Sequence, residues 1–176
     1  MYMRALRRAP LPTKVATASS LAVAGDVAAQ STTHDLAAGQ WDARRTLGMA
    51  VFGAAYSGVF QHHLFAWYAR TWPVLGMPRA TQLRSTAMTV LAHQFGTYPF
   101  LYIPTFFLVT EMVRGRSVTD ARARLEACFA PTYTVGLFVW TPALFIQFLY
   151  VPLPLQVLWI STCSLCWNTF LSWRAL

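Results

Sequence analysis

Long uncharged runs dominate the pattern of hydrophobic and polar positions along this chain. Residues 127–173 contain no Asp, Glu, Lys or Arg over 47 positions. Because roughly 20 apolar helical residues cross a bilayer, this run is long enough to cross twice, and Pro152 with Pro154 in its middle predicts the reversal between the spans. Residues 46–69 and 85–110 are two further uncharged runs. The pattern predicts an all-α integral membrane bundle of about four transmembrane helices plus short surface helices.

Charged residues are confined to the segments between these runs. Residues 32–45 and 70–84 are polar connections, and residues 111–126 hold much of the remaining charge. Ser117 and Asp120 stand three positions apart, the spacing of a capping box with Asp in place of Glu. We therefore expect a short surface helix to begin there and to lead into the long uncharged run.

Small residues recur every fourth position in two stretches, which predicts faces where helices approach closely. The first row lies on a weakly apolar helix predicted over residues 13–31, and the second runs through residues 46–62. The rows are Ala16, Ser20, Ala24 and Ala28, and Thr46, Ala50, Ala54, Gly58 and His62.

Composition and charge support the membrane interpretation. Apolar types make up 56% of the chain and charged types 11%, while the net charge is +8. The arginines lie in the N-terminal segment and between apolar runs, so anionic lipid headgroups are the expected partner and nucleic acid is not.

Residues 1–176 form one domain. Residues 1–14 are basic and acid-free, as in mitochondrial targeting segments, which favours the mitochondrial inner membrane over the peroxisomal membrane.

No pattern of an enzyme is present. The chain lacks the nucleophile-elbow, zinc-protease, Walker A and dinucleotide-binding motifs. His62 and His63 are adjacent and point about 100° apart on a helix, so they do not form a two-ligand metal face. We predict no catalytic residue, no cofactor and no metal.

Asp26 is the most informative polar residue, because an acid within a membrane helix is costly and is a functional candidate by default. Gln30, one turn on, is its nearest partner.

In the last third of the chain, a gapless spacing joins Trp140, Gln147-Phe148, Val151-Pro152 and Trp167-Asn168-x-Phe170-Leu171-Ser172. This spacing resembles the C-terminal signature of the Mpv-seventeen family, the family of the small peroxisomal membrane proteins and Sym-one. The resemblance marks this chain as a divergent member. Earlier positions match the same family in spacing. The matching positions, interpreted as packing residues, are Gly25, Gly58, Pro73, Pro99, Trp140, Pro152, Trp167, Asn168 and Ser172.

The resemblance implies four membrane helices, an uncleaved N-terminal segment, and a non-enzymatic role as a small-solute channel or in inner-membrane homeostasis. In that interpretation a set of polar side chains lines a path between packed helices, or joins the helices by hydrogen bonds. This predicted polar set is Asp26, Gln30, His62, His93, Gln94 and Gln147.

A second interpretation is an accessory structural subunit of a large inner-membrane complex, such as a respiratory complex or ATP synthase. Packing positions of the family are kept here, whereas several of its characteristic positions are replaced. The replacements are Val59, His93, Thr141, Leu144, Gln147 and Gln156. A chain held in a protein interface would show that pattern, and the protein subunits around it would be its partners.

Overall fold

The computed structural model describes residues 1–32 and 41–174, and the side chains of residues 1–31 and 41–167. Every element in these ranges is helical, which confirms the all-α class. A first π-helical segment joins α3 to α4, a second joins α5 to α6, and a 3₁₀ turn precedes α8. The bounds are α1 Tyr2–Arg8, α2 Pro10–Thr32, α3 Ala43–Phe52, first π segment Gly53–Phe60, α4 Gln61–Thr71, α5 Arg79–Ala92, second π segment His93–Tyr102, α6 Ile103–Val113, α7 Val118–Tyr150, 3₁₀ turn Leu153–Leu155 and α8 Gln156–Arg174.

The capping box at Ser117 is confirmed, but the helix that it begins is not short. The Asp120 N–H donates to Ser117 Oγ (3.1 Å), and the Ser117 N–H donates to Asp120 Oδ2 (3.1 Å). α7 then continues for 33 residues through Pro131 and Pro142. The expected surface helix is therefore the first part of one long helix.

The predicted reversal in the long uncharged run is also confirmed. α7 ends at Tyr150, Pro152 precedes the 3₁₀ turn, and α8 begins at Gln156. Proline lacks the backbone N–H that a continuing helix needs, so paired prolines end one helix and allow the next to begin. α7 and α8 consequently pack against each other.

The small-residue row over residues 46–62 lies at a close helix contact, as predicted. The first π segment packs on α2, and a Cβ built on Gly58 would stand 2.6 Å from the Cα of Val15. At Gly53 it would stand 2.8 Å from the Cβ of Ala22. Glycine is required at these positions because any side chain would push the two backbones apart.

The prediction that the small-residue row on α2 packs against other helices of the molecule is wrong. Ala16, Ser20 and Ala24 are exposed. α2 instead turns Val15, Ala18 and Ala22 toward the first π segment, where they lie against Gly58 and Gly53. Both faces of α2 are rich in small residues, so sequence spacing alone could not choose between them.

The outer surface is apolar. Phe100 and Phe138 are 74% and 79% exposed, which suits a surface bathed in lipid. Among the described helices, Val118–Tyr150 is by itself long and apolar enough to cross a membrane, and the stretch Leu153–Trp167 is apolar but shorter. The count of about four spans stays a prediction.

Candidate functional site

Four helix ends meet at one end of the bundle and carry most of its paired charge. The C-terminal part of α2, the start of α3, the end of α6 and the start of α7 contribute to it. Ion pairs or hydrogen bonds connect their side chains. We call this set the charged cluster: Asp26, Gln30, Asp42, Arg45, Thr46, Glu111, Arg114, Arg116 and Arg124.

Asp26 is the buried centre of one half of the charged cluster. Its side chain is 2% exposed, and Arg45 Nε lies 2.7 Å from Oδ1. Thr46 Oγ1 and Gln30 Nε2 both donate to Oδ2 at 2.8 Å. A buried carboxylate is tolerated only when it is paired and hydrogen-bonded, and these three donors meet that requirement. The predicted Asp26–Gln30 partnership is therefore present.

Glu111 is the buried centre of the other half. Its side chain is 4% exposed and is surrounded by three guanidinium groups. Arg116 Nη1 lies 3.1 Å from Oε2, while Arg124 Nε and Arg114 Nη1 lie 3.4 and 3.5 Å from Oε1. This end of α6 thus holds an excess of positive charge around one carboxylate.

Asp42 and Arg114 join the two halves. Asp42 caps α3 by accepting the Arg45 N–H at 2.9 Å, and it accepts a second bond from Arg114 Nη2 at 2.9 Å. The Arg45 N–H, and then the Arg114 guanidinium, hold the pKa of the Asp42 carboxyl below its usual value. The Asp42 N–H also donates to Gln30 Oε1 at 3.0 Å. Asp42 therefore stays ionised and ties α2, α3 and α6 together.

A cavity of about 300 Å³, which we call the outer cavity, lies inside the charged cluster. Asp26, Arg45, Glu111 and Arg124 line its polar side. Its apolar side consists of Met49, Phe106 and Phe107. The charged cluster therefore borders a cavity and is not only a surface network.

Two more cavities share lining residues in series with the outer cavity. A middle cavity of about 180 Å³ shares Met49, Phe106 and Phe107 with the outer one. An inner cavity of about 20 Å³ shares five residues with the middle one, and His93 also lines it. The shared residues are Ser57, Tyr98, Tyr102, Trp140 and Ser164. Because about one water fills 10–15 Å³ on this measure, the inner cavity, the smallest of the three, holds about one water.

Tyr68 contacts His93 of the inner cavity and also lines a cavity near the opposite end of the bundle. Its ring lies 6.4 Å from the His93 ring, centroid to centroid, and its hydroxyl is 2.7 Å from Thr97 Oγ1. On its other side Tyr68 lines a far cavity of about 170 Å³, together with Pro73 and Pro152. The far cavity and the three cavities that share lining residues are therefore linked through the contact between Tyr68 and His93.

Unpaired polar atoms lie along this route. Neither ring nitrogen of His93 has a hydrogen-bond partner among the described residues, and the same holds for Gln61 Oε1 and Ser161 Oγ. His93 and Gln61 line the inner cavity, and Ser161 lines the middle cavity. Since buried polar groups are almost always hydrogen-bonded, these atoms are positioned to bind water or a polar solute.

The structure gathers only part of the predicted polar set along this route. Asp26 and Gln30 belong to the charged cluster, and His93 lines the inner cavity. His62 lies elsewhere, with Nδ1 2.9 Å from the Nζ of Lys14.

The two remaining glutamines of that set have other surroundings. Gln94 Nε2 donates to Thr141 Oγ1 at 2.9 Å, which fastens the second π segment to α7. Gln147 is fully buried, and neither atom of its amide has a hydrogen-bond partner within the described part of the chain.

The family-matching residues serve mainly in packing. The rings of Trp140 and Trp167 lie 6.3 Å apart across α7 and α8. Gly25 and Gly58 are buried, whereas Pro73 and Pro152 are exposed at the helix reversals, and Pro99 is buried within the second π segment. The side chains of Asn168 and Ser172 lie outside the described residues.

Sequence reasoning missed the basic half of the charged cluster and Glu111. Arg45, Arg114 and Arg124 stand in segments interpreted as headgroup contacts, and nothing in their spacing links residues so far apart. One signal was available: Glu111 follows a 26-residue uncharged run directly, which places an acid on the last turn of a membrane helix. Over the same described residues, no group of three His, Cys, Asp or Glu could hold a metal ion.

Residues 111–172 match the model of the Mpv17 / PMP22 family. Protein sym-1 of Neurospora crassa is 31% identical over 98% of this chain and 95% of its own length. Peroxisomal membrane protein 2 of Bos taurus is 27% identical over 97% of this chain and 86% of its own. Mitochondrial inner membrane protein Mpv17 of Mus musculus is 26% identical over 99% of this chain and 95% of its own length. No solved structure matches the chain.

Proposed function

Since this chain belongs to the Mpv17 / PMP22 family of membrane proteins, we propose that it is a non-enzymatic channel for small polar solutes in the mitochondrial inner membrane. The relatives whose names give a location are mitochondrial inner-membrane or peroxisomal membrane proteins, and the basic, acid-free segment before Asp26 favours the first. The outer, middle and inner cavities are its path, and the charged cluster is its entrance.

The series of cavities is the observation that carries this proposal. Three cavities that share lining residues lead from Asp26 and Glu111 at one end to His93 in the interior. Side chains with unpaired polar atoms occur at the inner end of the series, where a solute needs hydrogen bonds to replace its hydration. The inner cavity admits about one water, so the route is closed in this state and Tyr68 is its final barrier.

The charge of the entrance indicates which solutes it favours. The charged cluster contains four guanidinium groups and three carboxylates, a net charge of +1. A cleft lined by one excess sign concentrates ions of the opposite sign. We therefore propose a weak preference for anions, in which Asp26 and Glu111 limit the excess.

Replacement of Asp26 with Asn tests the proposal. Removing this carboxylate raises the net charge of the entrance to +2, so the anion-to-cation permeability ratio should rise about two- to threefold. The ratio is read from the reversal potential of reconstituted vesicles or planar bilayers in a salt gradient. Glu126→Gln is the matched control, because Glu126 is an exposed acid of α7 that pairs with the exposed Arg122 and lines none of the cavities. An unchanged ratio in Asp26→Asn would refute the assignment of the entrance.

A second candidate function, an accessory subunit of a large inner-membrane complex, is favoured by one observation. The row Ala16, Ser20 and Ala24 on α2 is exposed, and small residues on a membrane helix allow another helix to approach closely. A structural subunit would migrate with one large complex on native gels after gentle detergent extraction. Migration only as a monomer or small oligomer would exclude this candidate and leave the channel.

A further inference from the structure

A cavity of about 470 Å³ lies at the opposite end of α2 from the charged cluster, between α1, α2, α4 and the 3₁₀ turn. We call it the N-terminal cavity. Arg7, Lys14 and His62 form its polar lining, and Met3, Leu6 and Leu153 are among its apolar wall residues. Its lining shares no residue with the outer, middle and inner cavities. It shares Leu153 with the far cavity, so an activity of the N-terminal cavity is distinct from the proposed path through the outer, middle and inner cavities.

Lys14 is the only lysine of the chain, and it lies buried beside a histidine. The residue is 4% exposed, and its Nζ is 2.9 Å from the Nδ1 of His62. A ring nitrogen that accepts from an ammonium group carries no charge of its own. Within the described part of the chain, no carboxylate lies within ion-pair distance of Lys14. A buried cation without a counter-ion is strongly unfavourable.

The surroundings of Lys14 indicate which counter-ion would suit it. Arg7 adds a second cation at the exposed rim of the same cavity. With Nδ1 of His62 accepting from Lys14, the other ring nitrogen of His62 carries its proton and is a further donor. Two cations with an imidazole donor match the several acceptor oxygens of a phosphate group. The apolar wall of Met3, Leu6 and Leu153 suits a hydrocarbon chain attached to it.

We propose that the N-terminal cavity binds a phosphate group, with Lys14 as its buried ion-pair partner and Arg7 at its rim. The bearer that fits the apolar wall best is an anionic phospholipid, whose acyl chain would lie along Leu6 and Leu153. A basic pocket beside membrane helices, facing the headgroup region, is a suitable place for such a lipid. α1 packs on α2 at this cavity, so bound lipid would also hold α1 in place.

Substitution of Lys14 with Met separates charge from side-chain length. The full-length protein, purified in a neutral detergent, is titrated with short-chain phosphatidylglycerol, short-chain phosphatidylcholine or inorganic phosphate while its thermal unfolding midpoint is followed. We expect phosphatidylglycerol to raise the Tm of the wild-type protein. The lipid concentration that gives half of this rise should be at least tenfold higher for Lys14→Met. Without any phosphate compound, Lys14→Met should be at least as stable as wild type, because it removes an uncompensated buried charge.

Two further variants make the result specific. Lys14→Arg keeps the charge and should keep the response, whereas Arg8→Met removes an exposed cation outside the cavity lining and should respond as wild type does. A response to inorganic phosphate as strong as that to the lipid would support the phosphate site and assign it to a soluble ligand. Equal responses of wild type and Lys14→Met to every compound would overturn the proposal.

Discussion

Replacing Arg45 with Met should destabilise the protein by about 3–5 kcal/mol, the range measured when one partner of a buried ion pair is removed. Asp26 would keep its place with a 2% exposed side chain, but its only charged partner among the described residues, Arg45 Nε at 2.7 Å, would be gone. Thr46 and Gln30 would still donate to it, and two neutral donors do not replace a guanidinium. Thermal unfolding in a mild detergent measures the loss.

A double-mutant cycle shows whether this loss belongs to the pair. Asp26→Asn alone should cost much less, because the Arg45 side chain is 36% exposed and can turn to water. Asp26→Asn combined with Arg45→Met should recover most of the stability, with an interaction energy of the size seen for contacting residues. Additive losses in the double variant would contradict the description of Asp26 as a charge that depends on Arg45.

Replacing Gly136 with Ala should reduce permeation through the proposed path on the order of tenfold, since pore diameter at the narrowest point governs conduction. A Cβ at this position would overlap the Tyr98 hydroxyl and stand 2.7 Å from its Cζ. The Tyr98 ring would have to leave α7, break its bond to the Thr132 carbonyl (3.3 Å) and enter the cavities that it lines. Solute flux into reconstituted vesicles gives the rate.

Two variants control for general damage to the fold. Gly96→Ala adds the same methyl group where nothing lies within 4 Å, so flux should be unchanged. Gly136→Ala combined with Tyr98→Leu removes the overlapping ring and should restore or exceed the wild-type rate. If Gly136→Ala folds and transports like wild type, the path does not pass Tyr98.

Local features of this fold were predictable from the sequence because their determinants are adjacent in the chain. The Ser117 capping box, the reversal at Pro152 and the Asp26–Gln30 hydrogen bond each depend on residues within four positions. The contact at Gly58 was predictable for a related reason: a repeat of small residues every fourth position places them on one helical face. The same repeat failed on α2, where small residues occupy more than one face.

The charged cluster was beyond sequence reasoning because its geometry depends on tertiary packing. Asp42 meets Arg114, and Glu111 meets Arg124, only after α3, α6 and α7 have come together. Helical periodicity relates residues three or four apart and carries no information about such pairs. The cavities are still harder to predict from the sequence, because a cavity forms where the packed side chains do not meet.

The unequal exposure of Asp26 and Arg45 determines which of the two residues can be replaced first during evolution. A lineage can lose the carboxylate first and survive, because the guanidinium left behind reaches water; it cannot lose the guanidinium first without stranding a charge in the interior. Homologues that lack both groups should therefore descend through intermediates with Asn or another neutral residue opposite a retained arginine. We therefore expect the carboxylate to be lost before the guanidinium at this end of the bundle, because only the guanidinium reaches solvent. A phylogeny of the two positions would record that order.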